Sequence, residues 1–365
     1  MRQVTDRMAP RSEPATPRYA YSDLLDYAAR LGAAAGLSYD RARVQSEMLL
    51  ESDLMGHTTH GLHLLPSLLG EIESGGMRKS GEPVTLADHP AALHWDGQFL
   101  PGTWLMVRAI EAARAKLPQN PVVTVVIRQC HHIAGLVAYL RLATEVGLAI
   151  LIVHSDPSSK TVAAHGGIDR QITPNPLAFG YPAAGAPVLI DISTSTTANG
   201  WVRRWMAEGR KLPDKWIVDN AGRLTDDPNA LFGDPPGALL PLGGAELGYK
   251  GFALGLLVEA LTSGLTGYGR ADAANGYGGT VTLMLFDPSG FGGSDAFRRE
   301  TGFLADSVRR SRARPHAEAP RMPGERALAL RAHQLGVGVS LYQSIMPALA
   351  PWTDKLGVPA PAPIP

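Results

Sequence analysis

"VVTVVIRQCHHIAGLVAYLRLATEVGLAILIVHS" occupies residues 122–155, and the reading of its three parts decides the fold class. It opens on a β-branched run, "GLVAYLRLATEVG" has the length and period of a helix, and "LAILIVHS" is apolar again. Strand, helix, strand is the predicted order, and the class is α/β. Further strands are predicted in "PVLIDIS" (187–193) and "GTVTLMLFD" (279–287), with helices at 250–264, 294–310 and 323–335. No GxGxxG stands between a strand and a helix, so any dinucleotide must be held by something other than the Rossmann device.

Upstream, Ser22 and Ser38 are predicted N-caps of "DLLDYAARLGAAAG" and "YDRARVQSEMLLESDLMG", and Gly36 and Gly56 sit where those helices should stop. The first hundred residues read as mainly helical. Together with the C-terminal helices they give a helical portion drawn from both ends of the chain. No repeat of solenoid length is present. The opening nineteen residues mix charge with proline and contain no apolar run, which predicts a disordered lead and no secretory signal. The closing "GVPAPAPIP" reads as an extended tail.

At 365 residues the chain can form one large domain or two ordinary ones, each with its own core. Lysine plus arginine equals aspartate plus glutamate at 34 each, so bulk charge recruits neither nucleic acid nor an anionic membrane, and a small molecule is the expected partner. The longest apolar stretch, "GFALGLLVEALTSGLTG" from Gly251, is broken by Glu259 and glycines and falls short of the ~20 residues that span a bilayer. It reads as a buried helix. The single cysteine, Cys130, excludes an intrachain disulfide and the common cysteine-based zinc sites, and fits a reducing, cytoplasmic setting.

"GHTTHGLHLL", residues 56–65, spaces His57, His60 and His63 by three. On a continuous helix they would fan over roughly 120° and could not converge on one ion, and Thr58 stands where a zincin would have its glutamate. No metal is expected. Three unrelated surface or capping histidines, or one working histidine with neighbours, are the remaining readings. "RQCHHIAGL" (128–136) lies where a strand ends and a helix opens, a place whose N–H groups favour a phosphate, although capping and packing explain His131 and His132 as well. "TPNPLAFGYP" (173–182), "DISTSTTANG" (191–200) and "RMPGER" (321–326) have ordinary readings as loop chemistry when taken singly.

Taken in order, these stretches resemble the malate/L-lactate dehydrogenase family that is unrelated to Rossmann lactate dehydrogenases, over about residues 20 to 340. "DLMGHTTHGLHLLPSLL" is similar to the family's DLxGxxSHGxxRxPxY, "CHHIAGL" to SNHFG or SHHFA, "TPNPLAFGYP" to TNPxAFGxP, and "DISTSTTANG" to DxATSxxAxG. "PLGGAELGYKGFALGLLVEAL" and the terminal "RMPGER" supply the last anchors. The resemblance implies a mixed-sheet cofactor domain, an NAD(H) or NADP(H) cofactor and a homodimer. The expected organisation is a disordered lead over 1–19, a helical substrate and dimer domain from 20–118 plus 295–350, an NAD(P)-binding domain over 119–294, and an extended tail over 351–365. His60 maps onto the family's acid/base histidine, and Thr59, where serine is usual, could fix its tautomer. That role is chemically sensible, since imidazole titrates near neutral pH and hydride transfer leaves an oxygen or nitrogen that needs a proton.

By the same residue-wise transfer, His131, His132, Ile133, Ala134 and Gly135 would meet cofactor phosphates or nicotinamide. Asp191, Ile192 and Ser193 would follow the cofactor-side strand, Lys250 would neutralise a phosphate, and Arg321, Pro323, Gly324 and Glu325 would close over the dinucleotide. Thr173, Asn175, Asn199 and Gly200 would border the substrate. Two departures stand out. Leu64 occupies the place of an arginine that clamps a substrate carboxylate, with Ser67 where many members carry another, and Trp201 replaces an aspartate of the imine-reducing branch. Arg203 or Arg204 could supply the clamp, or be solvated helix charges. The double histidine leans toward C=N chemistry, and a bulky indole at the substrate rim argues for a less polar substrate. The expectation is an oxidoreductase acting on a small carbonyl or cyclic imine compound; the alternatives are a 2-hydroxy-acid dehydrogenase with a relocated clamp and an inactive cofactor-binding or interaction protein.

Overall fold

The structure is a computed structural model that describes residues 17–272, 274 and 276–364. Its elements begin with β1 (Arg18–Tyr19), α1 (Tyr21–Ala34), α2 (Tyr39–Leu54), α3 (Leu65–Ser74), β2 (Val84–His89), β3 (Ala92–Asp96), α4 (Gly102–Lys116) and β4 (Val122–Cys130). Next come α5 (Val137–Thr144), β5 (Ala149–Ser155), β6 (Val162–Ala163), β7 (Arg170–Ile172), β8 (Leu177–Tyr181), β9 (Val188–Ile192) and α6 (Asn199–Ala207). The chain ends with β10 (Ile217–Val218), β11 (Leu224–Thr225), β12 (Ala238–Leu239), α7 (Gly244–Glu259), β13 (Gly279–Phe286), α8 (Ser294–Arg310), α9 (Glu325–Val337), β14 (Val339–Ser340) and α10 (Ile345–Leu356).

The class is α/β, and its sheets are mixed. A seven-stranded sheet has the order β2-β3-β4-β13-β5-β8-β9, with β2 antiparallel to β3 and β3 parallel to β4. The strand, helix, strand unit of 122–155 is present as β4, α5 and β5, but β13 is inserted between its two strands. A five-stranded sheet runs β11-β10-β12-β6-β7. Among the described residues no helix is long and apolar enough to cross a membrane.

The chain divides into two compact units. The larger holds residues 17–152, 178–190 and 283–364; the smaller holds 153–177 and 191–282. In the larger unit α2 is the central helix, packing against α1, α4, α5 and α9. Its C-terminal half is buried on all sides: Leu49, Leu50 and Leu54 are fully enclosed, and so are the polar Ser46, Ser52 and Asp53. Each such leucine stabilises the fold by about 1.5–3 kcal/mol, whereas a buried polar group is tolerated only if it finds a partner. Ser46 and Ser52 donate to the carbonyls one turn back, Ala42 at 2.8 Å and Met48 at 3.0 Å. Glu51 accepts from Arg141 of α5 and Arg331 of α9.

Several local expectations need correction. Ser38 is the N-cap of α2, but α1 is capped at Ala20, which places Ser22 inside its first turn. The N-terminal hundred residues are not all helix: "VTLADHPAALHWD" forms the β2–β3 hairpin, whose pairing with β4 decides its state. Most of the expected disordered lead lies outside the described residues, and its last part, Arg18–Tyr19, pairs antiparallel with β14. The tail is extended only at its end. α10 continues through Pro351 to Leu356 because Ile345 and Leu349 are buried, and Trp352 and Leu356 pack on the same core.

Candidate active site

The site is built where α2 stops. Gly56 takes φ +83°, a left-handed conformation that ends the helix cheaply only without a Cβ, and the His57 N–H turns back to the Ser52 carbonyl at 2.8 Å. The His60 N–H then donates to the His57 carbonyl at 2.8 Å, and a 3-10 turn, Leu62–Leu64, leads into α3. His57, His60 and His63 therefore share no helix.

Thr59 is buried, and its Oγ1 lies 2.9 Å from Nδ1 of His60. The hydroxyl engages Nδ1, so the two ring nitrogens of His60 have different surroundings. Beside it stands His132, ring centroids 6.2 Å apart. The Ala134 N–H donates to His132 Nδ1 at 2.9 Å, so a neutral His132 carries its proton on Nε2. Gly135 makes the approach possible: a Cβ there would stand 2.8 Å from Ser52 Oγ and 3.5 Å from His60 Cβ. The loop is held from α5 by Tyr139, whose hydroxyl donates to the Ile133 carbonyl at 2.5 Å.

His131 plays a different part. Its ring is fully buried, and Nδ1 accepts the His132 N–H at 2.8 Å. Burial pushes its pKa down to about 4, so the ring is neutral at pH 7 and its 3.6 Å approach to Glu71 is no ion pair. Ile133 and Ala134 are buried too. Two of the N–H groups expected to receive a phosphate, those of His132 and Ala134, are thus already given to histidine rings.

Leu64 is half-buried and packs on the core of the larger unit. The 321–325 turn belongs to that unit as well. Arg321 pairs with Glu318, the Pro323 carbonyl accepts the Leu189 N–H at 3.1 Å, and Glu325 takes the Met322 N–H at 3.0 Å and Arg309 Nε at 2.6 Å. Gly324, at φ +91°, lies so close to Leu189 that a Cβ would approach to 2.7 Å.

The remaining predicted residues fall in the smaller unit, apart from those of the histidine turn. Asn175 is fully buried: its Nδ2 donates to the Gly255 carbonyl and to Glu259, each at 3.0 Å, while Oδ1 accepts the Thr173 hydroxyl at 2.5 Å. Burial alone would raise the Glu259 pKa, but Arg270, Asn175 and Ser155 outweigh it and hold the carboxyl below its usual range. Asn199 donates to Thr161 Oγ1 at 3.1 Å at the head of α6, next to Gly200. Trp201 packs against a core cluster that includes Val202 and Trp205. Arg203 lies over the Phe232 ring at 4.2 Å, and the buried Arg204 is 5.2 Å from the Trp201 ring. Asp191 and Ile192 close β9, Ile192 exposed, and Ser193 donates to the Ser195 carbonyl at 3.2 Å.

A dinucleotide needs a cation for its phosphates and polar groups near its reacting ring. Lys250 is exposed on α7, and among the described residues no carboxylate pairs with it. His60 and His132 supply ring nitrogens in one place. Each unit by itself thus offers one kind of group that a dinucleotide needs. Asp53, Glu51, Tyr139 and Arg270 were not singled out in the sequence, and Glu259 only as a break in an apolar run; all but Arg270 lay inside quoted stretches, with no local sign of what they touch.

The sequence profile of malate/L-lactate dehydrogenase matches residues 19–350. Malate dehydrogenase of Pyrococcus horikoshii is 26% identical over 344 residues, covering 92% of this chain and 94% of the relative. The Delta(1)-pyrroline-2-carboxylate/Delta(1)-piperideine-2-carboxylate reductase of Pseudomonas syringae pv. tomato is 29% identical over 350 residues, covering 92% and 96%. The crystal structure of malate dehydrogenase from Entamoeba histolytica superposes with a TM-score of 0.89 at 20% identity, over 95% of this chain and all (100%) of that one, which shows the shared fold. By the profile, by the length of these matches and by the mixed-sheet fold, this chain belongs to the malate/L-lactate dehydrogenase family of oxidoreductases.

Proposed function

We propose that the protein is an NAD(P)-dependent oxidoreductase that transfers a hydride to or from a small carbonyl or cyclic imine compound, with His60 as proton donor and acceptor. The observation that carries this reading is the Thr59–His60 pair, hydroxyl to Nδ1 at 2.9 Å, with the His132 ring alongside. A bound nicotinamide supplies or takes the hydride. The chain supplies the proton: reduction leaves negative charge on oxygen, or an amine nitrogen that needs a proton, and His60 Nε2 delivers it while Thr59 holds the ring. In the oxidative direction the same nitrogen accepts it. Lys250 neutralises a cofactor phosphate, and residues 131–135, 191–193 and 321–325 border the dinucleotide.

The double histidine and the reductase relative favour an imine or a ketone over a simple 2-oxo acid, as does Leu64 in place of a cation. A 2-hydroxy-acid substrate is the second reading, favoured by the malate dehydrogenase relatives. It requires another arginine to take the carboxylate. Loss of catalysis is the third, and the intact Thr59–His60 pair argues against it. The exposed Leu247, Tyr249, Leu256, Leu257 and Leu265 on and just beyond α7 favour a homodimer, since large apolar side chains exposed on one segment suit an association surface. A cytoplasmic setting fits the single, buried cysteine.

The test is to mix pure protein with NADH or NADPH and a panel of 2-oxo acids, uncharged ketones and cyclic imine carboxylates while following nicotinamide absorbance. Oxidation of either nucleotide with a ketone or imine, at a rate abolished in His60→Asn, supports the reading. No oxidation with any substrate overturns it in favour of the interaction protein.

A further inference from the structure

Asp53, one residue from the end of α2, is only 1% exposed, and its carboxylate turns into the segment that carries His60. Oδ2 accepts the Leu62 N–H at 2.7 Å, bridging the helix end to the residue two beyond the histidine. Gly61 leaves the room: a Cβ on it would lie 2.2 Å from Asp53 Cγ and Oδ1. Any side chain at 61 must displace the carboxylate. The backbone of Asp53 is held in turn from the far end of the sequence, where Gln334 Nε2 donates to the Asp53 and Leu54 carbonyls, each at 3.1 Å. Gln334 Oε1 accepts the Ser340 N–H at 2.8 Å, so both ends of its amide are used. One turn back on α9, Arg331 Nε reaches Glu51 at 2.7 Å.

We propose that Asp53 is the positioning residue of His60, with Gly61 admitting its carboxylate and Gln334 anchoring its backbone. The inference rests on the proposed role of His60. A turn of four or five residues has several conformers of similar energy, and the imidazole direction changes with each. One buried hydrogen bond from Leu62 to the enclosed Asp53 carboxylate selects among them, because a conformer that withdraws the Leu62 N–H costs that desolvated carboxylate a donor. A misplacement of about 1 Å at a reacting group can cost on the order of a hundredfold in rate, so the effect belongs in kcat and not in affinity.

The experiment compares Asp53→Ala, Asp53→Asn and Gly61→Ala. The first readout does not need turnover: long-range proton–nitrogen spectra of protein carrying isotope-labelled histidine, with the His60 signals identified by their loss in His60→Asn. Asp53→Ala and Gly61→Ala are expected to shift or broaden the His60 ring signals while those of the other histidines outside the turn stay in place. Asp53→Asn, which keeps an oxygen for the Leu62 N–H, is expected to preserve them. The second readout is kinetic, on whichever ketone, imine or 2-oxo acid the wild type turns over. There kcat is expected to fall roughly ten- to a hundredfold in Asp53→Ala and Gly61→Ala with KM within about threefold, and Asp53→Asn to recover most of the rate. Unchanged His60 signals in a folded Asp53→Ala or Gly61→Ala overturn the proposal, as do equal losses in Asp53→Ala and Asp53→Asn. Shifted His60 signals in a protein with no turnover on any probe leave the positioning intact and remove the catalytic reading instead.

Discussion

Thr59 and His60 are sequence neighbours whose side chains meet, hydroxyl to Nδ1 at 2.9 Å. Adjacent residues on a strand point to opposite faces, and on a helix they diverge by about 100°. The contact exists because the segment after Gly56 is a tight turn closed by the His60 N–H on the His57 carbonyl. A turn that brings a hydroxyl onto one ring nitrogen makes the two nitrogens of His60 distinct.

His60→Asn should lower kcat/KM by ~10²–10⁴-fold, because a proton donor acts only in the transition state. Binding of NADH or NADPH, followed by nucleotide fluorescence, should stay near the wild-type value. Near-normal turnover in the variant would remove His60 from the mechanism.

Thr59→Val keeps the branched shape and deletes the hydroxyl. The lost hydrogen bond is worth about 0.5–1.5 kcal/mol, which corresponds to roughly a two- to tenfold drop in kcat. Thr59→Ser should retain the wild-type rate. Steady-state kinetics of the pair checks this, and equal rates in Val and Ser variants would show that the hydroxyl does not orient the ring.

A nucleotide at a hundred times its Kd should add about 2.7 kcal/mol to the stability of the native state. Melting curves with saturating NADH and NADPH measure this as a rise in Tm, and the larger rise names the preferred cofactor. Lys250→Ala should shrink the rise. Flat melting curves with both nucleotides would end the cofactor reading.

Leu64→Arg should shift kcat/KM toward 2-oxo acids, relative to uncharged ketones or imines, by roughly ten- to a hundredfold, since a charge-assisted pair with a carboxylate is worth ~1.5–3 kcal/mol. Leu64 is half-buried on the core, so the substitution also costs about 1 kcal/mol of stability, readable as a lower Tm. If the wild type already prefers pyruvate-like acids and the variant gains nothing, another arginine holds the carboxylate, and Arg203→Ala and Arg204→Ala identify which.

His131 gives the fold a defined response to acid. Its folded pKa of about 4 lies below the ordinary value of 6.5, so between those limits the unfolded chain takes up a proton that the folded chain refuses. Its contribution is complete above pH 6.5 and is lost progressively down to pH 4, on the order of 3 kcal/mol in all. His131→Asn keeps an acceptor for the His132 N–H and does not titrate. Urea unfolding at pH 7.5 and pH 5 should show the wild type losing roughly 2 kcal/mol more than the variant; parallel losses would contradict a neutral buried ring.

Local sequence determined what local physics controls. The β-branched 122–127 and the apolar 148–155 run, with a helical period between them, became β4, α5 and β5, and Gly36 and Gly56 end their helices at positive φ. The ordered motifs from the His60 segment to "RMPGER" were enough to mark the family. Tertiary structure decided the rest. The β2–β3 hairpin forms because β4 offers it an edge, and α7 begins six residues before the predicted helix, with Gly248, Gly251 and Gly255 packed where a Cβ would strike Leu242 or Ile172 or crowd His165. Spacing put three histidines in a row; the motif resemblance pointed to His60, and the turn after α2 set the Thr59 hydroxyl against its ring. Gln334 meets the Asp53 carbonyl across 281 residues, and no window along the chain contains both. Propensity, capping and periodicity act between near neighbours and leave a mark in the sequence. The partner of a buried polar group is set by which distant surface closes over it, because a group shut away from water must find a hydrogen bond wherever the packed chain provides one.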